Sequence, residues 1–138
     1  EEIQGISMRG GRGNVIRFNT CMGTFDGIDA ASDGTQNEDL ASDLDIHDNV
    51  VRWTADDALE PESMSGINVR VWKNDVSHTY YAFSISPNWQ GPAYVLYNTL
   101  TNYTRGGFKF SIGSTGETWI CHNTVTTTAA SMSLSKRA

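Results

Sequence analysis

The residues best suited to chemistry in this chain are its acids. Asp26, Asp29, Asp56, Asp57, Glu60 and Glu62 form its densest acidic constellation. Carboxylates held close together push their pKa values apart, leaving one protonated as an acid and another ionised as a base. Glycoside hydrolysis uses that division, with a gap of about 6.5–9.5 Å for water when the reaction inverts. The same oxygens suit a second chemistry. Calcium takes about six to eight oxygen ligands, and Asp26, Asp29, Asp57 and Glu60 with loop carbonyls approach that number, which makes calcium the candidate cofactor and Asp29 and Glu60 its candidate ligands. A third reading is purely local: an aspartate in front of a small residue bonds the backbone of its own corner.

His47, His78 and His122 stand at unequal offsets of −2, +4 and −1 from the nearest spaced asparagines, so they do not converge as a zinc site requires. His78 lies closest in sequence to Tyr80 and Tyr81 and is the histidine to consider for proton transfer or substrate contact. Trp89 sits among turn-formers in Ser86-Pro87-Asn88-Trp89-Gln90-Gly91-Pro92. An indole held out on such a loop is a stacking platform for a sugar ring.

The elements that must hold these groups are set by a repeat. Asn19, Asn49, Asn74, Asn98 and Asn123 are separated by 30, 25, 24 and 25 residues, each preceded by a short apolar phrase such as Val69-Arg70-Val71-Trp72. A second phrase follows eight or nine residues later and begins at Gly27, Ala58, Ala82 or Gly107, small residues that allow a tight corner. Gly5-Ile6-Ser7-Met8 reads as the same phrase from a preceding turn. Short runs rich in β-branched and aromatic residues between polar corners are strands. A unit of this size cannot bury its apolar side alone, but stacked copies can. The spacing therefore predicts a coil of parallel strands, about 4.8 Å from turn to turn, with the asparagines in a ladder of amide hydrogen bonds. Residues 1–128 belong to this coil. Residues 32–43, polar and turn-rich, are expected to project as a loop, and 129–138 to form a non-repeating tail.

This pattern resembles the right-handed parallel β-helix proteins of the pectate-lyase-like superfamily, which implies an all-β coil, here of about five turns. Phe25-Asp26-Gly27-Ile28-Asp29 resembles the Asn-Thr-Asp-Gly-Ile-Asp phrase of polygalacturonases, and Asp56-Asp57-Ala58-Leu59 resembles their Asp-Asp-Cys-Ile phrase. That resemblance implies Asp57 as general acid and Asp26 with Asp56 as the water-activating pair. It also brings Arg105 and Lys109 near the phrase that binds the uronate. The Gly-His-Gly phrase of those enzymes has no counterpart, because Tyr80-Tyr81-Ala82 stands in its place. Pectate-type lyases imply calcium with an arginine base, for which Arg52 or Arg105 is the candidate.

The register also separates the two cysteines. Cys21 and Cys121 lie four turns apart, about 19 Å at the strand spacing, far beyond disulfide reach. Two free thiols are expected, with Cys121 a small buried hydrophobe.

Composition narrows the partners. The 138 residues carry 16 acids against 10 lysines and arginines, a formal charge of −6. Such a chain does not track a phosphate backbone, which removes nucleic acid. No apolar run is long enough to span a membrane as a helix. Glu1 already lies inside the repeat, and a coil about 25 Å long without amphipathic caps leaves open ends. Remaining turns of a longer chain, or an end-to-end partner, are expected. Together these observations point to a carbohydrate-acting β-helix segment, a hydrolase or lyase of an acidic or neutral polysaccharide, extracellular or in the cell envelope. The alternative is a non-enzymatic solenoid with a carbohydrate-binding or structural role.

Overall fold

Each asparagine marks a corner at which the chain turns from one sheet into the next. The computed structural model describes residues 2–30, 41–61, 67–111, 113–128 and 134–137. Sixteen strands and no helix are present among them. They form three parallel sheets stacked as a β-solenoid of about four turns, five ladder asparagines bounding four steps. Among the described residues no helix is long and apolar enough to cross a membrane.

Three strands make one turn. The first sheet contains β2 (Val15–Arg17), β5 (Asp45–His47), β8 (Val69–Trp72), β11 (Ala93–Leu96) and β14 (Thr118–Cys121). The second contains β3 (Thr20–Met22), β6 (Val50–Arg52), β9 (Asp75–Ser77), β12 (Thr99–Thr101) and β15 (Thr124–Thr126). The third contains β1 (Gln4–Ser7), β4 (Asp26–Asp29), β7 (Asp57–Glu60), β10 (Tyr81–Ile85), β13 (Gly106–Ser111) and β16 (Leu134–Arg137). The apolar phrase around each asparagine is thus two strands with a corner between them, and not one.

The corners explain the repeat length. Phe18, Asp48, Lys73, Tyr97 and His122, each immediately before a ladder asparagine, adopt positive φ between 52° and 58°. A non-glycine residue in that region costs about 1–2 kcal/mol. The asparagine that follows repays it. Asn74 donates its backbone N–H and its Nδ2 to Asn98 Oδ1 at 3.0 and 2.9 Å, and Nδ2 also reaches the Ile46 carbonyl at 2.9 Å. Asn19, Asn49 and Asn98 make the equivalent bonds to the next asparagine in line. The backbone N–H groups of Asn19, Asn49, Asn74 and Asn98 therefore all have a partner without water.

The core is a stack of equivalent side chains. Ile16, Ile46, Val71 and Val95 align across the first sheet, and Cys21, Val51, Val76 and Leu100 across the second, all buried. Ile28, Leu59, Phe83 and Phe108 close the third side. The glycine that follows Asp26 in β4 is a steric requirement: a Cβ on Gly27 would lie 2.3 Å from Val51 Cγ1 and 2.4 Å from the Ala58 carbonyl oxygen.

The ends of the sequence-derived segments differ in detail. Residues 32–40 of the expected loop lie outside the described residues, while Ala41 and Ser42 are buried and Ser42 bridges Arg12 within the coil. Leu134–Arg137, within the expected non-repeating tail, return as β16 and pair with β13 in parallel. Both cysteines are free thiols. Cys121, however, lies half-exposed rather than buried, in register with Leu96 and Trp72 two residues before the ladder.

Candidate functional site

The acids singled out in the sequence gather on the third sheet. Gln4, Asp26, Asp57, Tyr81 and Gly106 follow one another in register from β1 to β13. Asp26 is 4% exposed and Asp57 1%. Asp26 Oδ1 accepts the backbone N–H of Asp57 at 3.2 Å. Burial pushes the Asp26 carboxyl up to about 6; the Asp57 N–H works against that rise, and the neighbouring charges of Asp56, Asp29 and Glu2 add to it. Asp56 is half-buried beside it.

Asp57 carries the Lys109 ammonium on its Oδ2. Lys109 reaches it from two turns further along, and its Nζ also lies 5.7 Å from the centre of the Tyr81 ring. Arg105 joins the group through its Nε, which donates to Tyr81 Oη at 3.3 Å. The coil thus brings Asp26, Asp56, Asp57, Lys109 and Arg105 together around Tyr81. Neither His78 nor Trp89 touches this cluster. His78 is an exposed corner residue at φ 58°, its ring 5.9 Å from that of Trp53. Trp89 is half-buried, and its carbonyl accepts the Thr115 hydroxyl at 2.6 Å. The buried Asn88 beside it donates to the Glu117 carbonyl and to Thr118 Oγ1, which pins that loop against the next turn. Arg52 belongs to the second sheet and is forked onto Asp75 and Ser77.

These carboxylates do not fit a calcium ion. Arg9 grips both oxygens of Asp29 at 3.2 and 2.6 Å, Lys109 holds Asp57, and Glu60 stands in register with Asp29. Among the described residues no three histidine, cysteine or acidic side chains converge as a metal site would require. The cations that balance this acidic face are protein side chains.

A second site lies on the outer face of the first sheet. A hollow of about 560 Å³ is lined by Asn68, Arg70, Trp72, Lys73, Tyr94, Leu96 and Tyr97. The strand register builds it. Arg70 aligns with Tyr94, and Trp72 with Leu96, so the drop from an indole to a leucine leaves space between the flanking tyrosines. Trp72 is fixed from behind and from the side: its ring stacks on His47 at 4.0 Å and 9°, and its Nε1 donates to Asp45 Oδ1 at 3.1 Å. Arg70 forks onto the same carboxylate at 2.8 and 2.6 Å. Burial works to raise the Asp45 carboxyl, but the Arg70 guanidinium and the Trp72 indole outweigh it and hold it below its usual value. Lys73 Nζ lies 5.3 Å from the Trp72 ring centre, and Tyr97, 56% exposed, stacks on His122.

Sequence reading passes over this hollow because Arg17, His47, Trp72, Leu96 and Cys121, two residues before each asparagine, share no chemistry. Their signal is size in register: each is a neighbour of the next, so a fall in volume along the series is a depression in the surface. No protein-family model, curated protein or solved structure matches the chain.

Proposed function

We propose that this chain is a carbohydrate-recognising β-solenoid segment that binds glycan on the outer face of its first sheet. The observation that carries this reading is the hollow walled by Trp72, Tyr94 and Tyr97. Aromatic faces beside hydrogen-bonding and cationic groups are what a pyranose ring needs, its C–H face on the ring and its hydroxyls on the polar rim. Lys73 and Asn68 supply donors there, and the Asp45 network holds Arg70 and Trp72 in place before any ligand arrives, which lowers the ordering cost of binding. An extracellular or envelope location goes with such a ligand.

The test is a glycan array followed by calorimetry on the sugars that bind. Tyr97→Ala should weaken binding about fivefold, since a surface aromatic contact is worth about 1 kcal/mol, whereas Tyr97→Phe should retain most of it. Failure to bind any glycan, or unchanged affinity in Tyr97→Ala, would overturn the reading.

Glycan cleavage at Asp26, Asp56 and Asp57 is a second reading, favoured by one observation: the buried Asp26 carboxyl is pushed up to about 6 next to a second carboxylate, as acid–base chemistry requires. Arg105 and Lys109 would then face an anionic substrate group. Against it stands the engagement of Asp57 by Lys109. New reducing ends or unsaturated products, lost in Asp56→Asn, would establish cleavage.

A further inference from the structure

The hollow does not end where its walls are highest. In register with Tyr94 on the next strand stands Trp119, and with Leu96 stands Cys121. His122 follows Cys121 and stacks under Tyr97 with ring centres 5.0 Å apart. Three columns therefore run side by side across β8, β11 and β14. One outer column reads Arg70, Tyr94, Trp119; the other reads Lys73, Tyr97, His122. The middle column falls in size from Trp72 to Leu96 to Cys121. A floor that drops between two aromatic walls is a trough, blocked at β8 by the Trp72 ring and open towards β14. Trp119 is 53% exposed, His122 is exposed and Cys121 is half-exposed, so among the described residues this continuation is uncovered.

We infer that the trough extends along the coil axis onto β14 and takes a linear oligosaccharide of three or more rings, its end seated against Trp72. The inference rests on the glycan reading above. Two strand steps make the floor about 10 Å long from β8 to β14, more than one sugar ring covers. Charge sets the polarity of the ligand. Arg70 and Lys73 both stand at the blocked end, and no carboxylate lines the hollow. Arg70 is forked onto Asp45, which leaves Lys73, held over the Trp72 ring, as the cation offered to a ligand. An acidic sugar therefore belongs at the blocked end, and neutral rings follow it along the uncharged aromatic walls.

Cys121 on the floor reports occupancy. Cys21 is an internal control, because it is 6% exposed and burial pushes its thiol up. Alkylation of each thiol by N-ethylmaleimide is followed by mass spectrometry in the intact chain. Ligands are β-1,4-linked glucose, xylose and mannose series of one to six rings, with and without a terminal uronate, and binding is monitored by tryptophan fluorescence. Short ligands should change the fluorescence without protecting Cys121, whereas three rings or more should slow its alkylation about tenfold. Trp119→Ala should weaken only the longer ligands, by about tenfold for one lost stacking contact. A terminal uronate should strengthen binding in wild type and not in Lys73→Met. Long ligands that bind without protecting Cys121, or equal protection by one ring and by six, would overturn the trough. If no saccharide of any length alters the fluorescence, the glycan reading itself falls and the trough with it, an outcome distinct from binding without protection.

Discussion

At the scale of single residues, Asp26 combines two roles that pull against each other. Its Oδ1 completes the Asp57 backbone N–H, yet its charge is buried among other acids. The folded carboxyl keeps its proton up to about pH 6, whereas the ordinary value is 3.8. The folded state therefore binds this proton more tightly, and the stability linked to it is full below about pH 4 and is lost as pH rises through 6. Asp26→Asn keeps the acceptor oxygen and removes the charge. It should stabilise the fold at pH 7.5 by about 1–2 kcal/mol, less than the full shift because nearby solvent screens the charge, and give no gain at pH 4. Urea midpoints of both proteins at the two pH values decide this; a destabilised variant at pH 7.5 would show that Asp26 is needed as an anion. Lys109 shows the opposite logic, since it supplies the charge that Asp57 requires in a buried setting.

At the scale of the element, the asparagine ladder is directional. Each member donates to the next and accepts from the one before, so an interior asparagine holds two corners and an end member one. Asn74 accepts the backbone N–H and Nδ2 of Asn49 while donating to Asn98, Ile46 and Trp72. Asn19 donates to Asn49 and Arg17 and, among the described residues, its side-chain oxygen accepts from none. Asn74→Ala should cost about 3 kcal/mol or more because it strands buried polar groups on both neighbouring turns, and Asn19→Ala about 1 kcal/mol. Equal losses in chemical denaturation would mean that the ladder does not hold the corners. The same element scale explains how much was legible in advance. The asparagine spacing revealed the coil, its register and the alignment of Asp26 with Asp57, because a repeated corner requires a repeated residue. It did not reveal that each asparagine phrase breaks into two strands, because the residues at positive φ, from Phe18 to His122, have no common side chain. Their conformation is imposed by the ladder beside them.

At the scale of the whole molecule, a solenoid turn touches only its neighbours, so stability varies along the coil. The third turn, with β8 and β9 between two others, has Val69, Val71 and Val76 fully enclosed. On β14 the corresponding Ile120 is 37% exposed and Trp119 more so. Hydrogen exchange should accordingly be slowest in β8 and β9 and faster in β14 and β15, and uniform protection would indicate that the described turns unfold only as one unit. The open end of the trough lies on the same exposed turn, so ligand binding there should slow exchange in β14.

What the sequence by itself determined is the periodic part: strands, corners, parallel stacking, free thiols and the gathering of Asp26, Asp56 and Asp57. These follow from spacing, since a fixed number of residues per turn converts position along the chain into position in space. Only the tertiary structure decided what that gathering contains and what lies on the other side of the coil. Lys109 and Arg9 reach the acids from other turns and Arg105 reaches Tyr81 beside them, and their side-chain pairing has no signature in spacing. Trp89 and His78 lie elsewhere because a loop and a corner turn them away. The hollow over Leu96 exists because three unlike residues, Trp72, Leu96 and Cys121, stand next to one another across strands, and a difference in volume becomes a cavity only once neighbours are in contact.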